Sequence, residues 1–140
     1  MNWQAQASAS HYLTALAVQR ELESGNVGEA AAGIQELVEA LSRSERRALK
    51  SYLVQLMTHV IKWQAQPERR SRGWAATIAN ARAEIRDIQE ETPSLSDAVV
   101  RSLWDESFAR ATRQAEGEMN APSPVKSLTW DDVFAAEYRV

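Results

Sequence analysis

The chain has no cysteine, only two histidines, five glycines, four prolines and no long apolar run, and each shortage excludes something. Without cysteine there is no disulfide framework, thiolate metal site or cysteine nucleophile, which points to a reducing, cytoplasmic setting. No stretch approaches the roughly 18 apolar residues of a membrane span, and MNWQAQASAS lacks the cationic and apolar segments of a signal peptide. The expectation is therefore a chain that neither crosses a membrane nor carries a leader. The two histidines, His11 and His59, belong to no Glu-x-x-His or His-Glu-x-x-His pattern, so no metal is expected. So few glycines, none in a phosphate-cradling loop or nucleophile elbow, disfavour nucleotide hydrolysis, and no cofactor is expected.

What is present is helical spacing. With 140 residues and 44% hydrophobic content, one domain with one core is expected over residues 1–140. Tyr12, Leu13, Leu16 and Val18 suit a helix over 9–24 that stops at Ser24-Gly25. Asn26 and Glu29 resemble a capping box, and Ile34, Leu37, Val38 and Leu41 predict the buried stripe of a second helix. Ser42 or Ser44 then caps a third, whose broad stripe carries Leu49, Tyr52, Leu53, Leu56, Val60 and Trp63. Val54, Met57 and Ile61 form a second strip on its other side, which makes this helix either the centre of a bundle or a homodimer contact. Pro67 ends it.

Ser71 caps a fourth helix with Trp74, Ile78, Ala81, Ile85 and Ile88 at alternating steps of four and three, terminated by Thr92-Pro93. Ser94 and Asp97 open a fifth, carrying Leu95, Val99, Leu103 and Phe108 up to Gly117. Residues 118–128 hold two prolines and no helical period, so they read as a connection to a short last helix capped by Thr129 and Asp132. The sum is an all-α, antiparallel helical bundle of about five helices plus a short C-terminal helix.

Charge is distributed unevenly along the chain. Residues 43–86 balance at +7, whereas 1–42 and 87–140 balance at −4 and −6, so a net charge of −3 conceals a basic centre. Within that centre His59, Lys62, Trp63 and Gln66 share one side of a helix end, followed by Arg69, Arg70, Arg72 and Trp74. These residues, with Arg82, are the candidate partner- or ligand-binding set, imagined with Trp63 and Trp74 clamping the bend at Pro67. Aromatic and arginine anchors favour a non-enzymatic protein-interaction or regulatory module whose partner the residues do not identify. The alternative is a nucleic-acid or anionic-ligand binder using the same His59 to Trp74 segment. Against it, the acidic flanks offer carboxylates that could pair with Arg69, Arg70 or Arg82, and Glu36 and Glu39 are candidates. A weaker alternative makes His59 an acid or base oriented by Glu36 or Glu39, but nothing in the sequence brings those groups together, and no catalytic residue is assigned.

The run SRSERRALKSYLVQLMTHVIKWQAQPERRSRGWAATIANARAEI, Ser42 to Ile85, followed by Thr92-Pro93-Ser94-Leu95, resembles the bacterial domain-of-unknown-function family numbered twenty-nine. His59, Lys62, Trp63, Gln66, Pro67, Arg70, Trp74, Thr77, Ile78 and Arg82 carry the likeness, which extends back through Ile34, Glu36, Glu39 and Leu41. It implies an all-helical fold and no particular activity, substrate, cofactor or partner. Leu37 stands where the family commonly has a second acidic residue, Ser42 where glycine is common, and Gly73 where serine usually precedes the tryptophan.

Overall fold

The computed structural model describes residues 2–140 and is all-α, with bundle-like packing and no strand among the described residues. Seven helices follow one another: α1 Trp3–Ala9, α2 His11–Glu23, α3 Val27–Ala65, α4 Arg72–Glu91, α5 Asp97–Ser102, α6 Trp104–Met119 and α7 Trp130–Phe134. A single 3-10 turn, Pro67–Arg69, lies between α3 and α4. The chain forms two compact units, one up to Arg47 and the other Ala48–Val140, and α3 contributes to both.

In the first unit the backbone leaves the helix at Ser24–Asn26, between α2 and α3, and before that at Ser10, which is extended and whose hydroxyl accepts the Leu13 amide at 3.1 Å. That break splits off α1, capped by Asn2, a helix the sequence reading had not anticipated. Trp3, Val18 and Ala30 form a small core, and the Trp3 indole donates to Glu29 at 2.9 Å. Gly33 is required here: a β-carbon at this position would lie 2.7 Å from Val18 and 2.8 Å from the Trp3 ring.

The same contact overturns the expected buried stripe of the second helix. Ala30, Gly33 and Ala40 are the buried residues of this stretch, and at Ala30 and Gly33 small size lets the Trp3 indole and Val18 approach the helix. Ile34, Val38 and Leu41 are instead 46, 59 and 42% exposed, and Leu37 is half-buried. The expected second and third helices are moreover a single helix. Ser42 and Ser44 sit exposed within α3 and cap nothing, since a serine caps only where the backbone departs from helical geometry and no proline forces that departure before Pro67.

In the second unit, both apolar strips of α3 are covered. Leu49, Leu53, Leu56, Val60 and Trp63 are buried on one side and Val54, Met57 and Ile61 on the other, all within one core shared with α4, α5, α6 and α7. Val54, Met57 and Ile61 are therefore core side chains and offer no surface to a second copy. Burying each such side chain contributes roughly 1.5–3 kcal/mol. In α4, Ile78, Ala81, Ile85 and Ile88 are buried as spaced, and the Ser71 hydroxyl accepts the Trp74 amide at 3.1 Å.

The expected fifth helix is two. Ser96, not Ser94, precedes α5, and the chain kinks at Leu103, whose amide is shared between the carbonyls of Val99 and Val100. The kink buries Leu103 and turns Trp104 toward the connection that follows α6. Gly117 does not stop α6, which runs on to Met119 and ends at Asn120, in the left-handed conformation asparagine tolerates at a helix end. Beyond it, Glu116 accepts the Ser123 amide at 2.7 Å and Leu128 is buried. Thr129 and Asp132 make the reciprocal capping box of α7.

Candidate functional site

Pro67 has no amide hydrogen, so it cannot supply the bond that the Trp63 carbonyl would receive from residue 67 in a continuing helix. Arg70 supplies it instead, its Nε donating to that carbonyl at 2.9 Å while the guanidinium lies 5.1 Å from the centroid of the Trp63 ring. Trp63 also contacts the C-terminal segment of the chain. Its ring meets Tyr138 edge-on at 5.4 Å, so the expected Trp63–Trp74 clamp is replaced by a Trp63–Tyr138 pair.

Arg82 performs the same capping task for α7. Its Nε donates to the Val133 carbonyl at 2.8 Å and its Nη2 to that of Asp132 at 3.4 Å, and its guanidinium stacks 5.4 Å from the Tyr138 ring. A cation at the negative end of a short helix is favourable on both counts. The Tyr138 hydroxyl donates to the Asp132 carbonyl at 2.5 Å. Burial is the main influence that lowers the Arg82 pKa and raises that of Tyr138. Arg70, Trp63, Tyr138 and Arg82 thus form one connected chain of stacking contacts, built around unpaired helix-end carbonyls.

A second group collects around Lys62. Its ammonium is buried, lies 3.6 Å from the Glu118 carboxylate and 4.9 Å from the centroid of the half-buried Trp74 ring. His59 stands one turn away, its Nδ1–H donating to the Gln55 carbonyl at 2.9 Å. Desolvation pushes the His59 pKa below its ordinary 6.5, the Gln55 bond offsets part of that, and the Lys62 charge adds to it.

This has a direct consequence for stability. A histidine whose folded pKa is depressed binds its proton more readily when unfolded, so the stability it supports is complete above pH 6.5 and is lost as pH falls through 6.5 toward the folded value. Urea midpoints measured from pH 7.5 down to pH 5 are expected to fall, and to fall less in His59→Gln. Identical slopes would remove His59 from the acid sensitivity.

Gln66 is half-buried at the start of the 3-10 turn and makes no capping bond. Arg69 and Arg72 are exposed and have no side-chain partner among the described residues. Among the described residues none of arginines 69, 70 and 82 takes up the pairing with a carboxylate that the acidic flanks offered; ion pairs there include Lys50–Glu106, Lys62–Glu118 and Arg139–Glu137. Nor does a carboxylate orient His59, whose Nδ1 is taken by a main-chain carbonyl. Among the described residues no group of three His, Cys, Asp or Glu is arranged to hold a metal ion.

Sequence reasoning missed an aromatic cluster in the second unit. Trp104 and Trp130 stack with ring centroids 5.5 Å apart and planes 19° from parallel, Phe134 packs 4.5 Å from Trp130, and the Trp104 indole donates to the Leu128 carbonyl at 3.3 Å. Arg101 stacks 4.2 Å above Trp130, and Arg101, Trp104, Leu128 and Trp130 line a groove of about 320 Å³. The available signal was the recurrence of Trp130, Phe134 and Tyr138 at steps of four.

Comparison with curated proteins and with solved structures gave no match. One family model does match, over residues 19–138, a span that covers residues 19–47 of the first unit and nearly all of the second, including every candidate residue from His59 to Arg82. The chain belongs to the family described as Domain of unknown function DUF29.

Proposed function

We propose that the chain is a non-enzymatic protein-interaction module that pairs with a second copy of itself through the first unit. The observation that carries this reading is where apolar surface is left open: among the described residues, seven of the eight exposed large hydrophobic side chains lie before Arg47. A soluble chain rarely leaves contiguous apolar surface without a partner for it.

The pattern within α3 specifies what kind of partner fits. Val27, Ala31, Ile34, Val38 and Leu41 are all exposed and follow steps of 4, 3, 4 and 3, the spacing of a coiled-coil seam, until Glu45 interrupts it. Such a seam is complementary to a helix of the same pattern, and the commonest symmetric assembly supplies that helix from a second copy. Two heptads make a short contact, so association is expected only at roughly micromolar protein or above.

Light scattering and sedimentation from low to high micromolar concentration are expected to show the mass rising from 15.7 kDa toward twice that value. Val38→Glu with Leu41→Glu is expected to keep the chain monomeric while leaving its helical signal and thermal midpoint essentially unchanged, since both side chains are exposed. A wild type that stays monomeric throughout, or a dimer indifferent to the double substitution, would overturn the reading. The anionic-ligand alternative keeps Arg69 and Arg72, which face solvent, but Arg70 and Arg82 serve helix ends and the chain as a whole is acidic.

A further inference from the structure

The groove beside Trp130 differs from the other surface features of the second unit in holding a cation that is positioned yet unspent. Arg101 is exposed on the last turn of α5, and its guanidinium is held 4.2 Å from the centroid of the Trp130 ring. None of its N–H groups donates to a protein acceptor among the described residues. Arg70 and Arg82, by contrast, spend their Nε on carbonyls. A planar fork of donors held against a ring matches a carboxylate, which accepts two parallel bonds from it.

Beside that fork the groove offers indole and leucine side chains together with polar surface. Trp104, Trp130 and Leu128 complete the lining, the Trp104 indole nitrogen is already bonded to the Leu128 carbonyl, and Arg101 is the only charged residue of the four. A ligand there gains contact area from flat hydrophobic atoms and orientation from a single negative group. The volume of about 320 Å³ suits a compact molecule of one or two fused rings. The balance of −6 over residues 87–140 disfavours an extended polyanion such as nucleic acid while leaving a monoanion tolerable.

We infer that this groove is a binding site for a small aromatic carboxylate, the ring lying against Trp104 and Trp130 and the carboxylate on Arg101. The site lies wholly in the second unit and does not depend on self-association through the first.

The test uses the full chain, with 2-naphthoate as probe and the indole N–H resonances of the five tryptophans as reporters. Saturable shifts are expected for Trp104 and Trp130 and not for Trp3. The uncharged 2-naphthamide is expected to bind roughly tenfold more weakly, and Arg101→Gln to weaken naphthoate by a similar factor. Arg101→Lys, which keeps the charge and loses the fork, should fall between wild type and Arg101→Gln. Equal affinity for acid and amide, naphthoate binding unaffected by Arg101→Gln, shifts confined to other tryptophans, or no shift at millimolar probe would each overturn the assignment. So would tighter binding of acetyl-Gly-Trp than of naphthoate, which would make the groove a receptor for a peptide terminus. Because Arg101 is exposed and touches the fold through the Trp130 ring without a hydrogen bond, its replacement is expected to leave the fold intact, and an unchanged thermal midpoint verifies that.

Discussion

Ile61→Asp is expected to abolish the cooperative unfolding of the second unit. Ile61 is fully buried on the strip of α3 that it shares with Val54 and Met57, inside a core that also takes side chains from α4, α5 and α6. The substitution removes roughly 1.5–3 kcal/mol of apolar burial. It also places a carboxylate inside an apolar core, which costs several kcal/mol more or forces the site open to water. Set against a typical domain stability of about 5–15 kcal/mol, the sum is enough to unfold a unit of this size.

Two comparison variants make the result interpretable. Ile61→Val, which only trims the side chain, is expected to cost about 1 kcal/mol. Ile34→Asp, the same chemical change on the exposed seam of the first unit, is expected to shift stability by no more than about 0.5 kcal/mol. Urea unfolding followed by tryptophan emission reads all three. A folded Ile61→Asp with an unchanged midpoint would mean that Ile61 faces solvent and that the core described for α3 is wrong.

The second large effect is expected at Arg82. Removing this side chain in Arg82→Ala takes two donors from the carbonyls of Val133 and Asp132 and the stacking partner from Tyr138, for a loss of about 2–3 kcal/mol at hydrogen bonds made by a charged group. The loss is local. Residues 130–140 should become sensitive to limited proteolysis, whereas α3 and α4 keep their protection against hydrogen exchange. Arg82→Lys is expected to rescue little, because a single ammonium cannot reproduce two directed bonds from one rigid plane. An Arg82→Ala chain that resists proteolysis at its C-terminus as well as wild type would show that the aromatic packing of α7 suffices without the guanidinium.

The helices were legible where periodicity and a terminator coincided. Ser71 and Thr92-Pro93 bracket α4 on the expected residues, and Thr129 with Asp132 announces α7, because capping and proline act through the backbone and need no tertiary context. The failures have one physical cause. At Ser42 and Ser44 a capping residue was available, but whether it caps is decided by whether the chain turns, and nothing there turns it. At Ile34, Val38 and Leu41 an amphipathic stripe was evident, yet which face is buried was decided by Trp3 and Val18, which claim the side of the small residues. Short-range patterns identify a helix and its two faces, whereas tertiary neighbours choose between the faces.

The candidate site was legible in composition and not in role. Arg70 and Arg82 drew notice as charges, but their principal bonds are to main-chain carbonyls, and nothing in a linear sequence marks a carbonyl left unpaired seven or fifty-one residues away. The pairing of Trp63 with Tyr138 joins α3 to the far end of the chain, and the stack of Trp104 on Trp130 spans α6 and α7. Both depend on how the segment after α6 returns across the bundle, which no local spacing encodes.

The brevity of α7 bears on the order in which this unit assembles. Five residues, Trp130–Phe134, are too few to nucleate a helix unaided, so the segment can become ordered only on a surface that α3 and α4 have already formed. Its guanidinium clasp closes a loop of some fifty residues, a contact whose entropy is recovered late on the route to the native state. Substitutions in this tail should thus accelerate unfolding and leave the refolding rate nearly untouched, making the C-terminal latch a regulator of how long the native state lasts and not of how quickly it is reached.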